Sequence, residues 1–294
     1  MIDVVMPTYN RAKALAKVMD SYMSQEYLGH VIFVDDCSTD NTASYVVELA
    51  AKHPGKIIYH RMEKKSTLPG VRNVGISLAQ NEYVFMGEDD VLLPPDHFKV
   101  LLEKMKQYDA DLIAGRRINL YNGQTVEDAK LLADMDRGPL FTRVPFEAYL
   151  ERFVDHAQQV HVLHSNILMR RAVFDTVQYD PEYGGNAFRE ETDFFLRAWD
   201  AGFALWLIPD TLSYHMKNTL LNQAGGSRKK PWVYEWQVWK NTARLFTKNK
   251  NIFREKLGTG NIYIYLIRCL VARYTYAISR RLIQKSNRKK YAKA

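Results

Sequence analysis

Through its first 115 residues the chain alternates short β-rich apolar runs with stretches whose apolar positions recur every three or four residues. The runs 2–6 (IDVVM), 30–34 (HVIFV), 56–60 (KIIYH), 82–86 (EYVFM) and 111–115 (DLIAG) predict strands. Leu15, Val18, Met19 and Tyr22 mark one helical face; Val71, Val74, Gly75 and Leu78 mark a second; Phe98, Leu101, Leu102 and Met105 mark a third. Thr39 or Asp40 suits the cap of the helix after the second strand, and Pro69 the first turn of the next. Strand alternating with helix predicts an α/β fold, a parallel sheet with helices packed on it.

Beyond residue 116 the pattern loosens. Residues 117–145 read as loop-rich, 146–154 as a helix, and 161–169 (HVLHSNILM) as a strand. A helix over 189–201 ends at Gly202, followed by strands at 203–208 and near 211–216. The basic, glycine-containing stretch 217–231 (KNTLLNQAGGSRKKP) predicts a mobile loop, and 232–249 and 261–285 predict helices.

With 294 residues, 47% of them hydrophobic, the chain can bury one large core or two modest ones. Its start, MIDVVMPTYN, lacks the basic and long apolar segments of a secretory leader. The best candidate for a spanning helix, 262–272, is broken by Arg268. With only Cys37 and Cys269 as thiols, these features predict a reducing cytoplasm. The net charge of +8 conceals an asymmetry: residues 244–294 hold 14 Lys or Arg and one acid, Glu255, whereas the other 243 residues hold 27 bases and 32 acids. A tail at +13 beside a body at −5 predicts a separate task for the tail, most simply contact with an anionic surface.

Parallel sheets bind ligands where the carboxyl ends of their strands meet helix amino ends. Pro7-Thr8-Tyr9-Asn10 follows the first strand, Asp35-Asp36-Cys37-Ser38 the second, and Gly87-Glu88-Asp89-Asp90 the fourth. Two carboxylates about 4 Å apart repel by about 1 kcal/mol in water and about 4 kcal/mol near a protein surface. Hydration in an exposed turn, protonation or a bound cation can offset this. A solvated turn accounts for one acidic loop; two on one sheet edge favour a cation.

The motifs VVMPTYNR, VDDCSTDNT, PGVRNVGI, EYVFMGEDDVLLP, REETDFFLR and Tyr214-His215, in this order over residues 1–216, resemble the inverting glycosyltransferases of family 2. The resemblance implies the Rossmann-like A-type glycosyltransferase fold, with a mixed, mostly parallel central sheet flanked by helices and, here, C-terminal helices. It implies a nucleotide-sugar-binding half at 1–115, an acceptor-binding half of the same catalytic domain at 116–243, and a basic helical extension at 244–294. The implied donor is a UDP-, GDP- or dTDP-sugar, the acceptor a glycan or lipid-linked glycan hydroxyl, and the cofactor Mn²⁺ or Mg²⁺.

By the same resemblance, Asp90 contacts the metal with Glu88, which replaces the family's first Asp, and with His215. Asp89 faces the donor's ribose or sugar. Pro7, Thr8 and Tyr9 line the nucleobase pocket, Asp36 reads the base, and Arg72 reaches a phosphate or orients the acids. Glu191 stands at the position of the catalytic base, with Asp193 as the alternative; Glu190 and Asp193 share one helix face and Glu191 points elsewhere. Carboxylates are stabilised at a helix amino end whatever their role, so the cluster alone does not define a base.

Other classes fit less well. A sugar nucleotidyltransferase needs a glycine-rich loop after the first strand, and PTYNRAK has no glycine. A non-catalytic binding module with a relic clamp stays open because of Glu88. Processive synthases carry a Gln-x-x-Arg-Trp element that Gln237-Val238-Trp239-Lys240-Asn241 lacks, which favours single-sugar transfer. On the 261–285 helix Arg273, Arg280, Arg281 and Gln284 share a side. This predicts either a peripheral helix at the inner face of the cell membrane or one packed on the catalytic domain. No aromatic-basic platform points to nucleic acid. Trp199, Trp206, Trp236 and Trp239 read as packing residues, with Trp232 as a candidate for stacking on sugar.

Overall fold

A computed structural model describes residues 1–121, 123–216 and 231–275. The predicted 217–231 loop, up to residue 230, and the predicted helix beyond residue 275, with Arg280, Arg281 and Gln284, lie outside the described residues. The first half follows the sequence pattern: β1 (Ile2–Thr8), α1 (Ala12–Met23), β2 (Leu28–Asp35), α2 (Thr42–Lys52), β3 (Ile57–Arg61), α3 (Leu68–Ser77), β4 (Tyr83–Met86), β5 (Val91–Leu92) and α4 (His97–Gln107). Helix α3 starts at the Thr67 cap, whose hydroxyl accepts from Gly70 N, with Pro69 in the first turn. Asn41 is the cap residue of α2, and Asp40 supports it by accepting from Thr42 N at 3.0 Å.

The second half continues with β6 (Leu112–Leu120), α5 (Val126–Met135), β7 (Phe141–Thr142), β8 (Glu147–Ala148), β9 (Gln158–Gln159), β10 (Leu168–Arg170), α6 (Val173–Thr176), α7 (Glu190–Asp200) and β11 (Leu205–Met216). Then come α8 (Pro231–Lys248), a π turn (Ile252–Lys256) and α9 (262–275). The strands form a nine-stranded mixed sheet in the order β3-β2-β1-β4-β10-β6-β11-β5, with β9 on β11. The long registers, β1 with β2 and β4, β2 with β3, and β6 with β11, are parallel; β10 inserts antiparallel between β4 and β6. This is the mixed, mostly parallel sheet that the sequence predicts.

Alternation along the strands builds a core on each face. Val4, Met6, Val31, Phe33 and Phe85 pack under α1 and α4, while Val5, Ile32, Val34, Val84 and Met86 pack under α3 and α7. Phe246, Phe253, Tyr265 and Cys269 belong to the second of these cores, so α8 and α9 are seated on the same sheet as β1.

Four expectations change. Residues 117–145 are not mostly loop: β6 runs on to Leu120 because Arg116, Ile118 and Leu120 pair with Leu212, Tyr214 and Met216, and Thr125 with Asp128 closes a capping box that starts α5. Residues 146–154 form no helix; Glu147–Ala148 pairs with Phe141–Thr142, and Phe146 sits at φ 58. The 161–169 strand shrinks to Leu168–Arg170, since His164 Nε2 binds Gly115 O at 2.7 Å and its Nδ1 accepts from Asn166 N, local bonds that replace a ladder. The two strands expected at 203–216 are one, with a register shift between Leu207 and Leu212.

Candidate active site

The loops at the carboxyl ends of β1, β2 and β4 are tied to one another before any ligand is considered. Asn10, at φ 54, donates its backbone N–H to Ser38 Oγ at 2.9 Å, and its side-chain oxygen accepts from Thr39 N at 2.7 Å. Asp35, fully buried, accepts from Ser38 N, Tyr59 OH and Arg61 Nη1. Gly87 turns the chain out of β4 where a Cβ would meet Val4 Cγ1 at 2.8 Å. Tyr22 OH then pins the next residue by donating to Glu88 O and accepting from Glu88 N.

These loops border a cleft of about 440 Å³ lined by Pro7, Thr8, Tyr9, Asp36, Arg72, Glu88, Asp89 and Asp90, eight of the residues singled out in the sequence. Asp36 Oδ1 accepts from Ser66 N at 2.7 Å, and Lys65 Nζ lies over the Tyr9 ring. A second cleft of about 400 Å³ is lined by Glu190, Glu191, Arg117 and Glu147 and shares Leu68, Asn186 and Ala187 with the first.

The acidic triplet is held by two arginines that the sequence reading gave no role. Arg11 bonds Asp89 Oδ1 at 3.0 Å and Asp90 Oδ2 at 2.7 Å, and Thr8 Oγ1 donates to Asp89 Oδ2 at 3.3 Å. Arg117 Nη1 bonds Glu88 Oε2 at 2.6 Å, and Ser165 Oγ donates to Glu88 Oε1 at 2.5 Å. Burial pushes the Glu88 carboxyl up, but Arg117, His215, Ser165 and Arg72 outweigh it and hold the group at about 2. Asp89 goes the other way: burial, with Asp90 and Glu88 as like charges, outweighs Arg11 and Thr8 and raises it to about 7. In the sequence Arg11 lies one turn past β1 in PTYNR, and Arg117 belongs to the Arg pair at 116–117.

His215 Nε2 lies 3.7 Å from Asp90 Oδ1, brought there by the antiparallel pairing of His215 with Val91, and its Nδ1 is 3.1 Å from Asn119 Oδ1. Among the described residues no three His, Cys, Asp or Glu side chains are gathered to hold a metal ion. Asp90 and His215 could supply two donors to an ion whose other positions are filled by phosphate oxygens and water. Glu88 stands beside them with each oxygen accepting one hydrogen bond, from Arg117 and from Ser165.

On the far side, Arg72 is 3% exposed and divides its guanidinium between Glu190 Oε1 and Glu191 Oε1, each at 2.7 Å. It orients the acids of α7, not those of the triplet. Burial, with Glu191, Glu88 and Asp193 nearby, pushes the Glu190 carboxyl well above its ordinary range despite Arg72. The Glu191 side chain is 29% exposed and lines the second cleft. Asp193 has no exposure: it accepts from Arg197 Nε, Lys248 Nζ and Asn249 Nδ2 and lines neither cleft. Trp232 also lines neither cleft, and Trp206 stacks on Tyr108.

A family model described as glycosyl transferase family 2 matches residues 3–178. The chain belongs to glycosyltransferase family 2. Among curated proteins it is similar to the glycosyltransferase GlyG of Streptococcus pneumoniae serotype 4, 29% identical over 123 residues, 42% of this chain and 40% of that protein. It is similar to the poly(ribitol-phosphate) beta-N-acetylglucosaminyltransferase TarP of Staphylococcus aureus N315, 29% identical over 39% of this chain and 36% of the relative. The putative glycosyltransferase EpsE of Bacillus subtilis matches at 24% over 72% of this chain and 71% of its own length. The fold is similar to that of S. aureus TarS 1-349 in complex with UDP-GlcNAc, with TM-score 0.57, 18% identity, and 86% and 74% of the two chains covered. GalNAc-T7 with UDP, GalNAc and Mn²⁺ gives TM-score 0.63 at 15% identity, covering 84% of this chain and 47% of that one. These likenesses agree with the A-type glycosyltransferase fold. The matched regions span two fifths or less of GlyG and TarP.

Proposed function

We propose that the protein is a metal-dependent inverting glycosyltransferase that moves one sugar from a nucleoside-diphosphate sugar to a hydroxyl of a glycan or lipid-linked glycan. The single observation that carries this reading is the pair of adjoining clefts, one walled by the Arg11-held aspartates and the other by Glu191. Residues 1–115 supply most of the first cleft and residues 116–243 nearly all of the second, which supports donor binding in one and acceptor binding in the other. A UDP-sugar is the first donor to try, since the neighbouring TarS structure holds UDP-GlcNAc.

In this reading Tyr9 and Pro7 flank the nucleobase, Asp36 accepts from it, and the diphosphate lies toward Asp90 and His215. Asp89 meets the ribose or the sugar. Arg11 Nη1 is buried without a hydrogen-bond partner while its two other nitrogens hold Asp89 and Asp90, so it has an N–H to give a phosphate oxygen. Mn²⁺ or Mg²⁺ on Asp90 and His215 would neutralise charge on the departing diphosphate. Glu191, oriented by Arg72, takes the proton of the acceptor hydroxyl as its oxygen bonds the anomeric carbon. The bond from that carbon to the diphosphate breaks on the opposite face, and the nucleoside diphosphate leaves with the electron pair. Asp193, locked among Arg197, Lys248 and Asn249, serves the fold and not the proton transfer.

A thermal-shift screen of UDP, GDP and dTDP sugars with and without Mn²⁺ tests this. A donor at about 100 times its dissociation constant adds about 2.7 kcal/mol of stability. A shift that needs both nucleotide and Mn²⁺ is expected; no shift with any sugar nucleotide overturns the reading.

A further inference from the structure

Helices α8 and α9 carry an apolar surface that neither cleft uses. Trp232, Trp236 and Trp239 recur at i, i+4 and i+7 on α8 and are 69%, 66% and 43% exposed. Ile264, Ile267 and Val271 recur at i, i+3 and i+7 on α9, and each is more than half exposed. The two stripes adjoin. Glu235 lies one turn from both Trp232 and Trp239, Tyr274 lies one turn from Val271, and Tyr274 OH donates to Glu235 Oε2 at 3.0 Å.

The helices are well seated, so the exposure is not the mark of a poorly packed end. Val238 and Leu245 are buried on the side of α8 turned away from the tryptophans; Ile262, Tyr265 and Cys269 bury the opposite side of α9. Six large apolar side chains remain in water where a monomer rarely leaves a contiguous patch without use.

Charge identifies the occupant. Residues 217–230, which precede α8 in the sequence, hold four cations and no acid; residues 276–294, which follow α9 in the sequence, hold seven cations and no acid. Lys240 and Arg268, both exposed, border the stripes. A two-fold pairing of this face with a second copy would bring the bordering Lys240 and Arg268 of both copies together. Tryptophans and branched aliphatics flanked by Lys and Arg match an anionic bilayer instead, where rings settle at headgroup depth and each cation near the surface adds about 1 kcal/mol. No described helix is long and apolar enough to cross a membrane, which suits a face lying in the interface plane.

We propose that the Trp232–Trp236–Trp239 and Ile264–Ile267–Val271 stripes form a docking face for an anionic lipid surface. This deepens the proposed transfer and rests on it only for the lipid-linked acceptor. The docking helices also brace the site: Asn241 Nδ2 donates to Gly184 O, beside the donor cleft, and Arg273 pairs with Glu147 on the wall of the acceptor-side cleft. Docking would thus hold the acceptor-side cleft near the bilayer.

The test is flotation of the full chain with phosphatidylcholine vesicles with and without phosphatidylglycerol, with tryptophan emission and transfer to a soluble acceptor measured in parallel. Wild type is expected to float with the anionic vesicles only, with a blue shift in emission and with release by salt. A Trp232→Ser/Trp236→Ser variant and, separately, an Ile264→Ser/Ile267→Ser variant are each expected to lose at least tenfold in vesicle affinity while keeping soluble-acceptor transfer. Wild type left in the aqueous phase, or both variants floating like wild type, overturns the docking face. So does concentration-dependent dimerisation that the substitutions abolish in the absence of vesicle binding. Failure of transfer with vesicle binding intact would count against the proposed reaction alone.

Discussion

Arg72 donates to Glu191 Oε1 at 2.7 Å, joining α3 to α7 across 119 residues of sequence, and its other prong faces Glu190 at 2.7 Å. Removing one partner of a buried ion pair strands the other and costs about 3–5 kcal/mol. Arg72→Ala is therefore expected to lose about that much in urea denaturation. Arg72→Lys keeps the charge but not the two-pronged geometry, so it should recover part of the stability and little of the turnover.

Asp90 is the acid whose oxygens face Arg11 on one side and His215 on the other. Asp90→Ala should keep the circular dichroism spectrum of wild type and lose about 10²–10³-fold in transfer, the scale for deleting one fixed charge-stabilising group. His215→Ala should raise the Mn²⁺ concentration at half-maximal rate. Rates indifferent to both changes would remove the metal from the account.

Gly75 lets α3 approach the sheet: a Cβ there would stand 2.4 Å from Val5 Cγ1 and 3.1 Å from Val34 Cγ2. Alanine gains about 0.5–1 kcal/mol in a helix interior, but overpacking a filled core costs about 1–3 kcal/mol. Gly75→Ala should lower the thermal midpoint, in contrast to the usual effect of that substitution in an exposed helix.

Asp180 accepts from Lys248 Nζ at 2.7 Å and Arg244 Nη2 at 2.8 Å. Burial raises its pKa, yet these cations and the Glu182 amide outweigh burial and hold it at about 2, below the ordinary 3.8. A carboxyl whose folded pKa is depressed stabilises the fold above its unfolded value, and that contribution fades as pH falls through the folded one. The stability gap between wild type and Asp180→Asn should be full at neutral pH, shrink below about pH 4 and close near pH 2, as followed by urea midpoints.

The first half of the fold was legible because its signals are local. Alternation in Ile2–Met6 and the helical spacing of Leu15, Val18, Met19 and Tyr22 name their faces without knowledge of any partner. The gathering of Asp36 and Glu88–Asp90 followed from strand order alone. What stayed hidden depends on distant partners. Glu191 and Asp193 are indistinguishable as helix-start acids until α8 delivers Lys248 to Asp193, 55 residues on, and leaves Glu191 at a cleft. The partners of Glu88, Arg117 and Ser165, come from β6 and the 161–167 segment, far from the triplet in sequence. Helix α5 had a local signal, the Thr125-x-x-Asp128 box, which its polar surroundings masked.

The most direct test of the central claim is single-turnover transfer by Glu191→Gln at saturating donor, Mn²⁺ and acceptor. With Glu191 as the base, the amide should bind donor as wild type does yet transfer about 10²–10⁴-fold more slowly, the usual worth of a positioned proton acceptor. Transfer at the wild-type rate would contradict the account.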